Sequence, residues 1–375
     1  MKKIYFAEAV ATLIGTIIGA GVLSLPFAIA AVGLIPGLIL LCVLGSVVLI
    51  TNLMVAEIIL RTRARHQLAG YAKKYLGSRF YKLQTFNLVI GGFGALLAYI
   101  IGEGAILSSL LGGDKFVYSL IFFAAAAIVL FFGLNAVKVF ELWLVVGFVI
   151  VIMVIWGASG GAIDISNYNY IDLSQWFIPY GVILFAMSGA ASVVTMREIL
   201  KQEERQLKKA VVLGTIIPII IYIIFACIVI GVTGRNTTEV ATVGLGNVIG
   251  PYMIIFGNLF AFFAIGTSFL TIGLIIRDFF HLDLKLSKFS SWIITMSVPL
   301  ILFLAGIRDF IETIGIVGGF TVGFTSIIII FTFWQAKKKG DRAPEFSLPK
   351  FKIAGWFFIM IFFLGMAYVV YDLIH

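Results

Sequence analysis

Apolar residues run through this chain in blocks of roughly 18 to 25 positions without Lys, Arg, Asp or Glu, the length that carries a helix across a hydrocarbon core. Positions 10–54 hold no charged residue, enough for two crossings with a turn expected over 33–37, and positions 211–233 form another such run. A soluble helix of that length would carry a polar stripe at a 3.6-residue period. These blocks are apolar all round. The pattern predicts about eleven spans, at 5–32, 36–60, 80–110, 116–134, 139–158, 174–198, 207–233, 249–280, 289–306, 311–335 and 352–372. Positions 66–77 (HQLAGYAKKYLG) and 237–249 read instead as short helices lying on the two membrane faces.

Composition agrees with that reading: 61% of the 375 residues are hydrophobic, 12% are charged, and the mean hydropathy is +1.12. A soluble domain is about half apolar and about a quarter charged, so the excess must face lipid. Lys2 and Lys3 precede an apolar stretch, yet no cleavage site interrupts it before Pro26, and it is read as span 1 rather than a signal peptide. With the N-terminus in the cytoplasm and the C-terminus outside, all but three of the 27 Lys and Arg residues fall on the cytoplasmic side, the exceptions being Lys115, Arg235 and Arg308. The positive-inside rule asks for this asymmetry, which places the chain in a plasma (inner) membrane. The +9 net charge then needs no nucleic-acid partner. Cys42 and Cys227 lie in apolar runs, and His66, His281 and His375 are expected in loops or at the terminus, so neither a disulfide framework nor a metal motif is implied.

Spans 1–5 and 6–10 have opposite orientation, as in carriers built from inverted five-helix repeats whose binding site lies where the first helix of each repeat is broken. The halves are 1–158 and 174–335, with 352–372 as an additional eleventh helix. Span 1 holds Gly15, Gly19 and Gly21 followed by Pro26, and span 6 holds Ser188, Gly189, Ala190, Ala191 and Ser192. Glycine costs a helix interior about 1 kcal/mol against alanine, and the neighbourhood of Pro26 is expected to break or kink. Small residues also let intact membrane helices pack closely. The matching element in span 6 favours paired breaks, where freed N–H groups suit a carboxylate and freed carbonyls suit Na⁺ or an ammonium.

The run from Gly15 to Pro26 (GTIIGAGVLSLP) resembles the first-helix signature of the amino acid/auxin permease family and its bacterial aromatic amino acid permeases, within the amino acid–polyamine–organocation superfamily. The run from Phe185 to Ser192 (FAMSGAAS), followed by Met196, Arg197 and Glu198, resembles the sixth-helix element. The resemblance implies an all-α leucine-transporter-type 5+5 inverted repeat with broken helices 1 and 6. It implies a substrate carboxylate at the N–H groups around Gly19, Ala20, Gly21 and Val22, and an amino group at carbonyls of Thr16 and the second break near Phe185, Ser188 and Gly189. Tyr99 is by the same analogy a pocket wall or a packing aromatic.

In sodium-coupled relatives of this fold, a carbonyl and two hydroxyls of helix 8 complete a Na⁺ site. Here they map to Ala264, Thr267 and Ser268, which share one helix face, with Gly15 and Ile18 supplying carbonyls from helix 1. The alternative is that the two hydroxyls bond back to their own helix. Proton-driven relatives place a lysine in helix 5, where this chain has only Lys138 at the start. Glu103, four residues beyond Tyr99, is an intramembrane acid and a candidate proton carrier, or else a solvated residue near the outer interface. Glu8 is placed for a cytoplasmic gate. The small, uncharged residues of the second break fit a neutral or aromatic side chain. The expected activity is amino acid import by alternating access, with Na⁺ or H⁺ as coupling ion and no other cofactor. A channel lacks its ring of filter residues, an enzyme lacks a convergent catalytic set, and a non-transporting sensor remains a further alternative.

Overall fold

The computed structural model describes residues 2–19, 21–132, 147, 150–157 and 159–374. Ala20, Lys138 and most of predicted span 5 lie outside the described residues. Every described regular element is helical: α1 (Lys2–Ile17), α2 (Gly21–Val32), α3 (Leu34–Leu60), α4 (Leu68–Leu76), α5 (Ser78–Leu111), α6 (Lys115–Phe132), α7 (Phe177–Ala186), α8 (Ser192–Ile199), α9 (Leu207–Thr233), α10 (Ala241–Ile249), α11 (Pro251–Asp278), α12 (Lys288–Leu304), α13 (Phe310–Ile316), α14 (Gly323–Lys339) and α15 (Lys352–Ile374). Among the described residues seven helical segments are long and apolar enough to cross a membrane, and the bent pair α1–α2 makes an eighth. Helices are the expected solution, because lipid offers no partner to an open N–H or C=O. With the shorter apolar helices α7 and α12, these segments cover every predicted span except the fifth. Two short helices, α4 and α10, stand near 66–77 and 237–249, where such helices are expected.

Three details differ from expectation. The turn expected over 33–37 is a single residue: Gly33 takes φ +98° and α3 begins at Leu34. Pro36 falls in the first turn of α3, where its missing N–H has no helical acceptor to lose. The break of span 1 lies between Ile17 and Gly21, with a bend of 53°, and not at Pro26. Pro26 forgoes one backbone bond, toward Val22, and α2 continues through it. His281 lies in a π-helical extension of α11, Phe279–Asp283, rather than in a loop.

Packing fixes how the broken helices sit. In α5 and α11, Gly92 faces Ile276 while Gly102 faces Ile265, so these two long helices run antiparallel. In α1 and α9, Leu13 packs on Gly214 while Ile17 meets Tyr222, so these run parallel. A π-helical turn, Val317–Val322, joins α13 to α14. A β-carbon on Gly318 would overlap the backbone of Gly181 and one on Gly181 would overlap Gly315, which seats α7 directly on this segment. Asn87 of α5 donates to the Thr321 carbonyl (2.9 Å) and to Thr325 (3.0 Å), meeting backbone that the π-turn leaves irregular.

Each end of the bundle is stitched differently. On the N-terminal side, Glu57 of α3 is fully buried and accepts from Arg61 (2.7 Å), Lys337 (2.8 Å) and the Leu348 N–H (2.6 Å). That carboxylate pins the α14–α15 connection to α3. Asp341 in the same connection pairs with Lys74 of α4. Arg197 at the end of α8 donates to the carbonyls of Ile59 (2.8 Å) and Thr62 (3.1 Å) and pairs with Glu204, which also holds Arg342. On the far side, residues 159–176 fold over the helix ends. The Asp172 N–H meets the Val32 carbonyl (3.0 Å), and Arg235 stacks on Tyr170 at 3.5 Å.

Candidate functional site

Two interrupted helices meet in the middle of the bundle. In the first, the Gly19 N–H turns to the Ile17 carbonyl (2.9 Å) and the Val22 N–H to the Gly19 carbonyl (3.4 Å). A continuing helix would have used those N–H groups on the carbonyls four residues back, Gly15 and Ile18. The break therefore withdraws the helical donor from both. In the second, α7 ends at Ala186, residues 187–191 are non-helical, and α8 begins at Ser192.

Contacts between the breaks are backbone-close. An added β-carbon on Gly21 would stand 2.6 Å from Ala186 Cα, so the first residue of α2 must be glycine for the half-helices to touch. Thr16 and Ser192 hydroxyls lie 2.7 Å apart, joining the end of α1 to the start of α8. Gly189 is packed against Leu13 and Ile17, where a β-carbon would find side-chain atoms at 2.8 Å and 2.9 Å; its place is one of close approach rather than of an open ligand. Ser188 is exposed, and its N–H bonds the Phe185 carbonyl (3.1 Å). The hydroxyl of Tyr222, on α9, reaches the last carbonyl of α1 (Ile17, 2.5 Å) and the last carbonyl of α7 (Ala186, 3.0 Å). Sequence reading missed Tyr222, because one tyrosine in an apolar run resembles any packing aromatic.

The wall beside the breaks is aromatic. Tyr99 of α5 and Phe185 form an edge-to-face pair at 6.3 Å, and the Tyr99 hydroxyl lies beside Ser268 of α11. Ser268 also borders the first break, 3.3 Å from where a Gly19 β-carbon would be. Thr267 donates to Phe263 (2.8 Å) and Ala264 (3.2 Å) carbonyls, and Ser268 donates to Ala264 (2.8 Å). Both hydroxyls thus back-bond to their helix, the alternative named from sequence, and their lone pairs are left for another partner. Of the residues assigned from sequence to substrate or cation, Gly15, Thr16, Ile18, Gly19, Gly21, Val22, Tyr99, Phe185, Ser188, Gly189, Ala264, Thr267 and Ser268 belong to the two breaks or to helices α5 and α11 beside them.

Glu103, also on α5, lies beside Gly266 of α11, between Ala264 and Thr267 in sequence. It is fully buried, not solvated at an interface, and neither oxygen makes a hydrogen bond among the described residues. A β-carbon added to Gly266 would stand 3.5 Å from one carboxyl oxygen of Glu103. Glu8, by contrast, is exposed.

Exposure around the breaks is uneven. Ten of the 12 residues of α2 are buried, whereas Thr16, Ser188, Ala191 and Thr195 are exposed. The α2 side of the breaks is thus buried, while the exposed positions lie at the end of α1 and in 188–195. A polar outer pocket remains near Tyr170 and Arg235.

A known protein shares this fold. A solved structure, that of MhsT in complex with L-phenylalanine, superposes with a TM-score of 0.65 at 13% identity, covering 98% of this chain and 97% of that one. The chain has the same leucine-transporter-type fold. It is 24% identical to the tyrosine-specific transport system 1 of Haemophilus influenzae, over 88% of each chain. Identity to the tryptophan-specific transport protein of the same organism is 25%, over 93% of this chain and 90% of the relative. The glutamine transporter 2 of Aliivibrio fischeri is 22% identical over 92% of each. These relatives are carriers rather than enzymes, and amino acid transport across a membrane is the activity they share with this multi-pass chain. The family model for tryptophan/tyrosine permeases matches residues 2–372, and the chain belongs to the tryptophan/tyrosine permease family.

Proposed function

We propose that this protein is a secondary active transporter importing neutral, above all aromatic, amino acids by alternating access, with substrate bound across the two helix breaks. The observation that carries this reading is the convergence of both breaks beside the Tyr99–Phe185 pair. The N–H groups of Gly21 and Val22 at the start of α2 suit a carboxylate, since a helix N-terminus favours negative charge. Carbonyls at the ends of α1 and α7 suit an ammonium. An aromatic side chain would lie against Tyr99 and Phe185, where ring pairs add about 0.5–1.5 kcal/mol beyond burial. Names of relatives that handle tyrosine, tryptophan and glutamine agree with a neutral substrate. The halves 1–158 and 174–335 act as the two repeats. With basic loops on the cytoplasmic side of the inner membrane, the N-terminus is cytoplasmic and the C-terminus is outside.

Na⁺ is the proposed co-substrate. Gly15 and Ile18 carbonyls lack their helical donors, and Ala264, Thr267 and Ser268 offer oxygens on the facing helix. An all-oxygen donor set suits a hard cation. A second reading, proton coupling through Glu103, is favoured by its two unpartnered oxygens, because an intramembrane carboxyl with no partner must meet a proton or a cation during the cycle.

Uptake of radiolabelled tyrosine and tryptophan into proteoliposomes, with a Na⁺ or a proton gradient imposed separately, tests this. Sodium-driven uptake lost in Thr267→Ala and Ser268→Ala supports the Na⁺ reading. Uptake driven by the proton gradient alone rejects it and moves coupling to Glu103. Substrate binding without uptake under either gradient rejects transport in favour of a sensor.

A further inference from the structure

The hydroxyl of Tyr222 touches two carbonyls that share one property: each is the last of a half-helix, Ile17 of α1 and Ala186 of α7. Helix C-termini carry partial negative charge, so two of them brought together repel unless a donor stands between. Tyr222 is fully buried, and although the Ile17 carbonyl also accepts from the Gly19 N–H (2.9 Å), the Tyr222 hydroxyl is the donor that the two ends share. A phenol has a single O–H. Two acceptors therefore share one proton, at 2.5 Å and 3.0 Å. The two half-helices lie in opposite halves of the bundle, α1 on the N-terminal side and α7 on the far side. Any movement that separates the end of α1 from the end of α7 must give up one of the two bonds.

We infer that Tyr222 is a positioning residue that joins the breaks when the carrier is empty, and that it governs the return of the unloaded protein. The inference rests on the transport reading above. When an amino acid is bound, its ammonium supplies donors to carbonyls of the breaks, and the joint is redundant. When the site is empty, Tyr222 is the donor that holds the two C-termini together. Its ring packs in the core independently of the hydroxyl, so Tyr222→Phe removes one oxygen and leaves the shape.

The test compares two transport modes of Tyr222→Phe with those of the unmodified protein in proteoliposomes, using labelled L-tyrosine. Net uptake into empty vesicles requires the unloaded return and should fall about tenfold, the size expected for leaving a buried acceptor without its donor. Exchange against preloaded unlabelled tyrosine avoids that step and should stay within about twofold. An equal fall in both modes, or no change in either, overturns the inference. Amide hydrogen exchange of the substrate-free protein provides a readout independent of transport. Peptides covering 17–22 and 186–191 should exchange faster in Tyr222→Phe, and saturating L-tyrosine should abolish the difference. Unchanged exchange there overturns the joint even if transport falls. If the unmodified protein transports nothing, the transport reading fails while hydrogen exchange still decides the joint.

Discussion

Glu57 and Glu103 are both carboxyls buried to zero exposure within membrane-crossing helices, and their surroundings are opposite. Glu57 accepts from Arg61, Lys337 and the Leu348 N–H, and Ser347 stands 3.3 Å away. Glu103 lies beside Gly266 and makes no hydrogen bond among the described residues. Burying a charge is compensated only by good geometry and enough donors. Glu57 meets that condition and works as a structural pin. Glu103 does not, and a residue kept at that cost is a functional candidate. The difference separates fold from function more sharply than burial does.

The largest effect should come from breaking the pin. Glu57→Ala leaves Lys337 and Arg61 without their carboxylate and should cost about 3–5 kcal/mol, read as a lower thermal midpoint in detergent. Combining Glu57→Gln with Lys337→Met should cost less than the two single changes summed, because the pair acts as a unit. Glu103→Gln should do the reverse: unchanged or slightly raised stability, by about 1 kcal/mol or less, with transport losing its response to an imposed proton gradient if that gradient drives it. A large loss of stability in Glu103→Gln would erase the contrast. Next in size, Ser268→Ala should raise the Na⁺ concentration for half-maximal uptake about tenfold, the weight of one good ligand or charge-assisted bond.

The smallest effect concerns the exposed clasp. Lys74, through its hydrogen bond, holds the Asp341 carboxyl below its ordinary range. A lowered carboxyl contributes stability above the unfolded value, near 4, and loses it as pH falls through the folded value. The difference in thermal midpoint between the unmodified protein and Asp341→Asn should therefore be small at neutral pH and vanish in acid.

Much of this was legible in the sequence because hydropathy reports burial in lipid directly. Span positions, the short helix at 68–76 and the small-residue centres of both breaks followed from local pattern. The kink expected near Pro26 did not, because the bend is taken up at the glycines, where Gly21 meets Ala186 across the bundle, and α2 runs on through the proline. The π-turn at 317–322 likewise depends on Gly181 and Asn87 from other helices. Glu57 offered a readable sign, an acid in an apolar span four residues before Arg61, yet its partner Lys337 is distant in sequence. Tyr222 offered none, since its two acceptors exist only once both helices have broken.

The most direct test of the account is a cryo-EM structure of the protein with bound L-tyrosine. The account predicts density across the breaks, with the carboxylate at the N–H groups of Gly21 and Val22 and the ring against Tyr99 and Phe185. Density confined to the outer pocket near Tyr170 and Arg235, with nothing between the breaks, would contradict it.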